Sequence, residues 1–211
     1  MINKSEILRY LKCKTADDVT DSYITECCDF LTEKCRPKYV YKCFDADTSG
    51  DKTVIGGSVE FLGADIKKHL SGSEKCVLMA ATLGIEADRE IKRISVLSVA
   101  KAVVLDACAT AYIEQICDSV QEEIERKLGS VNYRYSPGYG DFPIEAQSDF
   151  INMLDTPRKI GLTLSGSGML IPTKSVTAVL GIVKNNSDCA GTKCERCPNR
   201  ARCEYSNENQ F

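Results

Sequence analysis

Apolar positions recur in three kinds of run along the chain, and each kind predicts a different element. Helical spacing marks "NKSEILRYL" near the start and "DDVTDSYITECCDFLTEKC" after it, where Val19, Tyr23, Ile24, Cys27, Phe30 and Leu31 fall close to a 3.6-residue period. Pro37 closes that second helix. Asp45–Thr53, "DADTSGDKT", is turn-rich, and "TVIGGSVEFLG" after it predicts a strand. A helical turn or two over "ADIKKHL" and a wholly apolar strand over "KCVLMAATLG", ending at Gly84, come next. From Ala87 to Leu128 there is no Pro or Gly, and apolar residues recur at Ile91, Ile94, Leu97, Val104, Cys108, Ala111, Cys117, Val120, Ile124 and Leu128. That run predicts one very long helix, or two joined by a kink, as the central core element, with Gly129 as its cap. "PIEAQSDFINML" predicts a short amphipathic helix opened by a proline. "KIGLTLSGSGMLIPTKSVTAVLGIVK" predicts two or three strands around a Gly/Ser turn. Helices and strands are mixed rather than alternating, so the expected class is α+β.

Composition narrows the function. The chain has 211 residues, 43% hydrophobic and 27% charged, which suits one sizeable core with a small appendage. A formal charge of −3 and a pI near 5.4 supply no basic surface, which argues against nucleic acid as a partner. Lys101, Asp106 and Glu114 interrupt the longest apolar run, which argues against a membrane span. The opening "MINKSEILRYLK" has no apolar block of the signal-peptide kind, so a cytoplasmic location is expected. In such a reducing compartment the twelve cysteines suggest metal ligands or buried thiols rather than disulfides. Cys13, Cys27, Cys28, Cys35, Cys43, Cys76, Cys108 and Cys117 are scattered and are taken as small core hydrophobes. The single histidine, His69, follows two lysines and is taken as a helix-surface residue. Asp45–Thr53 lacks the twelfth-position glutamate of a calcium loop.

The densest chemistry lies in Tyr133–Pro143, "YRYSPGYGDFP". Pro137 and Gly138 set a tight turn whose amides can approach a ligand. Arg134 offers a planar fork suited to a carboxylate. Tyr133, Tyr135 and Tyr139 offer flat faces for a purine or a cation. A ligand with a carboxylate, an adenine and a sulfonium would use all three, as S-adenosylmethionine does. An ordinary aromatic-rich turn is the other reading of the same residues.

"RYSPGY" resembles the Arg-Pro-Ala-Pro-Gly-Tyr motif of the activation domain of cobalamin-dependent methionine synthase. "GDFPIEAQ" and "LTLSGSGMLIPTKSVTAVLG", with "LMAATLG" and "DACATAYIEQICDSVQEEI" upstream, extend the likeness over Val54–Val183. The resemblance implies a bent antiparallel sheet flanked by helices. It implies S-adenosylmethionine as ligand and reductive remethylation of an inert cob(II)alamin as the supported reaction. It places Arg134 on the ligand's carboxylate, Ser136 in backbone contact, Gly138 at the close approach and Tyr139 at the motif tyrosine. Glu114, on the helix before the loop, falls where a carboxylate would meet the ligand's amino group or positive charge; a solvent-facing helix residue is the alternative. The chain has no corrin-binding or methyltransferase modules, so the resemblance implies an accessory that docks on a separate corrinoid protein, methionine synthase or another. Ser136 and the Gly140-Asp141 continuation depart from the full-length motif and leave the ligand's pose open. No residue stands out as a nucleophile or base, which suits chemistry carried by cobalt and sulfonium.

Beyond the activation-like domain, residues 1–184, the segment 185–211 reads as a separate tail. Cys189, Cys194, Cys197 and Cys203 are spaced C-x4-C-x2-C-x5-C, with Gly and Pro between them. Four thiolates so close can wrap an iron–sulfur cluster or a zinc ion. A cluster could pass on the electron that cob(II)alamin reduction needs, supplied by a flavodoxin or ferredoxin. Zinc would make the tail a structural knuckle, and free thiols on a disordered tail are the third reading. Two other functions compete with reactivation. One is a docking adaptor without turnover. The other is a small-molecule methyltransferase, disfavoured because "LSGSGML" lies between strands rather than ahead of a helix.

Overall fold

The structure is a computed structural model that describes residues 2–183. Helix α1 (Lys4–Tyr10) starts at Asn3, whose side chain accepts from the Ser5 amide at 3.0 Å. Helix α2 (Asp18–Lys34) starts at Asp17, whose Oδ1 accepts from the Thr20 amide at 2.8 Å. Ile24, Cys27 and Leu31 form its buried stripe, while Val19 stays exposed. Strand β1 (Lys38–Asp47) follows Pro37.

The "TVIGGSVEF" stretch is a hairpin rather than one strand. β2 (Thr53–Ile55) pairs antiparallel with β3 (Val59–Phe61), and the turn uses Gly56 and Gly57 at φ +60° and +76°. Helix α3 (Ala64–Leu70) and strand β4 (Lys75–Thr82) follow. The long apolar run resolves into the second of its two expected forms. α4 (Ile85–Leu97) and α5 (Val99–Leu128) meet at Ser98, which leaves the helical region at φ −155° and caps α5 by accepting from the Lys101 amide. Gly129 ends α5 with φ +96°. A 3₁₀ turn (Ile144–Ala146) leads into α6 (Gln147–Leu154) and the one-turn α7 (Thr156–Lys159). Short strands β5 (Thr163–Leu164) and β6 (Leu170–Ile171) pair with each other before β7 (Ser175–Gly181).

Five strands form one curled antiparallel sheet in the order β3-β2-β1-β4-β7. β4 lies inside it, paired with β1 from Lys75 to Thr82 and with β7 from Cys76 to Thr82. Both of its faces are covered, which is why its sequence is apolar without alternation. Val77, Met79 and Ala81 pack under α1, α2, α4 and α5. Cys76, Leu78 and Ala80 point to the other face, against Phe61, Ile66, Phe150 and Leu154. Each fully buried side chain of Leu or Met size contributes about 1.5–3 kcal/mol. Among the described cysteines, Cys27, Cys35, Cys76, Cys108 and Cys117 are buried, and Cys13, Cys28 and Cys43 are half-buried. No helix of the described residues is long and apolar enough to cross a membrane.

Candidate ligand-binding site

Beyond the outer edge of β7 the chain adds a partial sixth strand. Tyr135 and Val179 exchange both backbone hydrogen bonds, at 3.0 and 2.9 Å, and Val131 bridges to Ile182. Asn132 locks this segment from its side chain, accepting from the Gly181 amide and donating to the His69 carbonyl, each at 2.7 Å. Strand-like alternation then sends neighbouring side chains to opposite faces. Tyr133 and Tyr135 turn toward His69, with ring centroids 4.6 and 5.1 Å from it. Arg134 turns the other way, toward α5.

Two sequence expectations change here. His69 is 8% exposed and belongs to the core, not the helix surface, because the added segment covers the last turn of α3. Burial lowers its imidazole to about 4, against a smaller opposing effect of the Val179 backbone. Tyr135, offered by the sequence as a ligand face, is 3% exposed and stacks between His69 and Phe142. Its hydroxyl donates to the Tyr139 carbonyl at 3.0 Å. The tyrosine of this stretch that keeps an open face is Tyr139, 52% exposed.

The turn itself closes on short bonds. Gly138 donates to the Phe142 carbonyl at 2.8 Å, Phe142 to the Tyr139 carbonyl at 3.0 Å, and Tyr139 to the Ser136 carbonyl at 3.2 Å. Gly140 stands at φ +55°, and a Cβ there would lie 2.1 Å from an Asp65 carboxylate oxygen, so only glycine fits. Asp141 then reaches across to cap α3, accepting from the amides of Ala64 at 2.6 Å and Asp65 at 3.0 Å. The turn is therefore anchored at both ends, to β7 and to α3.

Arg134, expected on the ligand's carboxylate, and Glu114, placed by the resemblance near its amino group or positive charge, meet each other at 2.9 Å through Nη2. Nη1 donates to Asp118 at 2.9 Å and to Gln121 at 3.1 Å. The Arg134 side chain is 9% exposed, whereas those of Glu114 and Asp118 are 37% and 45% exposed. Burial opposes the charge, but Glu114, Cys117 and Asp118 outweigh it and raise the Arg134 pKa. Asp118 and Gln121 escaped the sequence reading, although residues 114, 118 and 121 form an i, i+4, i+7 polar stripe on α5. Ser136 and Gly138 lie on the turn.

The same face of α5 continues toward its N-terminus into a cleft of about 360 Å³ beside α1, lined by Tyr10, Leu11, Val103, Asp106, Ala107 and Thr110. Lys174 closes one side, donating to Thr110 at 3.0 Å and pairing with Asp106 at 2.8 Å. Tyr10 joins the cleft to the Arg134 cluster. Burial, and then the charge of Glu114, push its phenol up to about 12. Among the described residues no group of three His, Cys, Asp or Glu side chains could hold a metal ion. Cys189, Cys194, Cys197 and Cys203 lie outside the described residues.

A curled antiparallel sheet, a long helix across one face and an arginine-bearing turn laced to its outer strand define an α+β domain of the reactivation-domain fold. The solved structure described as the MetH reactivation domain bound to AdoHcy matches with a TM-score of 0.64, over 82% of this chain and 68% of that one. The two are 14% identical, so what they share is the fold. No protein-family profile matches the sequence, and no curated protein matches it either.

Proposed function

We propose that this chain binds S-adenosylmethionine beside Arg134 and supports the reductive remethylation of cob(II)alamin on a separate corrinoid methyltransferase, methionine synthase or another. The observation that carries the reading is the fold shared with a reactivation domain whose structure holds AdoHcy, the demethylated form of that ligand. The site fits a zwitterion. An amino group can take over Glu114 while its neighbouring carboxylate takes the Arg134 fork, so one half-buried ion pair opens into two. Ser136 and Gly138 would offer backbone contacts and Tyr139 its open face. In the supported reaction the partner's cob(II)alamin gains one electron, the sulfonium–methyl bond breaks, a cobalt–methyl bond forms and AdoHcy leaves. The protein orients and shields these groups and supplies no nucleophile.

The electron would come from a flavodoxin or ferredoxin. The spacing of Cys189, Cys194, Cys197 and Cys203 supports a metal centre on the tail, residues 185–211, either an iron–sulfur cluster that relays the electron or a structural zinc. Calorimetric titration of anaerobically purified protein with S-adenosylmethionine tests the ligand. Binding by the wild type, weakened by both Arg134→Ala and Tyr139→Ala, is the expected result. Equal binding by all three removes the site from this turn. No binding, with or without a cobalamin-loaded partner, leaves a docking adaptor. The visible spectrum of the same sample separates iron–sulfur from zinc.

A further inference from the structure

We propose that Cys28 on α2 and Cys108 on α5 form a reversible disulfide when hydrogen peroxide reaches the protein, Cys28 meeting the oxidant and Cys108 completing the bond. The inference stands apart from the ligand reading above. The Cys108 thiol is hydrogen-bonded with those of both Cys27 and Cys28. Three sulfurs therefore converge where α2 packs on the first half of α5. Contacts on either side fix that register. Lys101 pairs with Glu26 and stands over the Tyr23 ring at 5.4 Å, and further along the two helices Cys35 and Tyr112 interact. Cys27 and Cys108 are buried, whereas Cys28 is half-buried and so is the thiol of the three most open to solvent.

The surroundings of these sulfurs separate them from the other core thiols. Burial is the main cause that pushes Cys35 up to about 11 and Cys76 up to about 12, which leaves both inert. At Cys27 and Cys28 the hydrogen bond with Cys108 outweighs burial and lowers the thiol. Lys101 adds to this at Cys27, while Glu26 opposes it there and Asp29 opposes it at Cys28. Cys108 is raised by the same hydrogen bonds and then by burial, so it holds its proton and acts as the donor. The half-buried sulfur thus has the thiolate character that reacts with peroxides, and a protonated thiol lies beside it. Cys28 attacks hydrogen peroxide: an S–O bond forms, the O–O bond breaks and one water leaves, giving a sulfenic acid. Cys108 then attacks that sulfur. An S–S bond forms, the S–O bond breaks, and the departing hydroxide takes the thiol proton as a second water. In all, two thiols lose two electrons and two protons, and one peroxide becomes two waters. A dithiol reductant reverses the step by exchange, and a transient disulfide of this kind is compatible with a reducing compartment. The crosslink would tie α2 to the helix that carries Glu114 and Asp118.

The full chain, purified anaerobically and treated with limiting hydrogen peroxide, tests this after free thiols are alkylated and the protein is digested with trypsin. The tryptic peptide 15–34 carries Cys27 and Cys28, and 102–126 carries Cys108 and Cys117. The two should appear joined, with fragmentation assigning the bond to Cys28 and Cys108, and dithiothreitol should return both in reduced form. Cys28→Ser, at a half-buried position, should slow the crosslink by about tenfold or more. Cys108→Ala should leave a sulfenic acid on Cys28 that a dimedone probe captures; should that variant not fold, Cys28→Ser carries the test alone. Oxidation should raise the urea midpoint of the wild type by about 1 M and leave that of Cys28→Ser where it was. Peroxide treatment that leaves Cys28 fully alkylated, or that oxidises Cys189, Cys194, Cys197 and Cys203 alone, overturns the proposal. A bond between Cys27 and Cys108 that forms at the wild-type rate in Cys28→Ser overturns it as well.

Discussion

Replacing Arg134 by methionine removes the guanidinium but keeps a stem of similar reach, so it isolates the charge cluster from the packing. Three hydrogen bonds are lost: to Asp118 and Glu114 at 2.9 Å and to Gln121 at 3.1 Å. Fully desolvated charge-assisted bonds would contribute ~1.5–3 kcal/mol each. Here the acceptors are 37% and 45% exposed and regain water, so each charged bond is discounted to about 0.5–1 kcal/mol. Repulsion between Glu114 and Asp118, now unshielded at i, i+4, adds ~0.2–0.5 kcal/mol. The expected loss is therefore about 2 kcal/mol. At a slope of ~2 kcal/mol/M that moves the urea midpoint down by roughly 1 M. Arg134→Lys should recover part of it, since a single ammonium cannot bridge three acceptors. In a double-mutant cycle, Asp118→Asn in the Arg134→Met background should cost less than in the wild type, with a coupling of about 0.5–1 kcal/mol. A midpoint for Arg134→Met within ~0.2 M of wild type, with no coupling to Asp118, would refute the claim that this cluster ties the turn to α5.

The remaining predictions concern the aromatic core and the α3 cap. His69 has its imidazole lowered to about 4 by burial, against ~6.5 in an unfolded chain, so the unfolded state takes up the proton first. Its contribution is complete above pH ~6.5 and is lost as the pH falls toward 4, at most about 3 kcal/mol. Since it is the chain's single histidine, His69→Phe should flatten the stability profile across that window, and an unchanged slope by urea unfolding would contradict the burial. Asp141→Ala removes two N-terminal hydrogen bonds of α3 and should cost about 1–2 kcal/mol. It should also speed amide exchange at Ala64 and Asp65, and protection at wild-type levels would count against the cap.

How much of the site could be read in advance depends on how local each cause is. The turn was legible, since Pro137 fixes its own φ and Gly138 and Gly140 admit the positive φ of a tight turn, whatever surrounds them. Arg134 stood out for its chemistry, and Glu114 came from a family likeness, but Asp118 and Gln121 were overlooked on the same helix stripe. Nothing near Asp141 in sequence indicates that it caps a helix starting 77 residues earlier, because the two segments meet only when the sheet edge is built. The cleft had no sequence sign at all, since Tyr10 and Asp106 become neighbours through the packing of α1 on α5.

Periodicity and punctuation settled the elements. The 3.6-residue pattern drew α2 and the 87–128 run, an unbroken apolar stretch drew β4, and Gly129 ended α5. These follow from covalent geometry and local desolvation, which act within a few residues. Tertiary structure decided which faces are covered, and that is a property of surfaces that meet. It buried His69 under a segment added 63 residues later, spent Tyr135 on the core and left Tyr139 exposed. It also brought the Arg134 charge within 3 Å of carboxylates on a helix whose sequence says only that one face is polar.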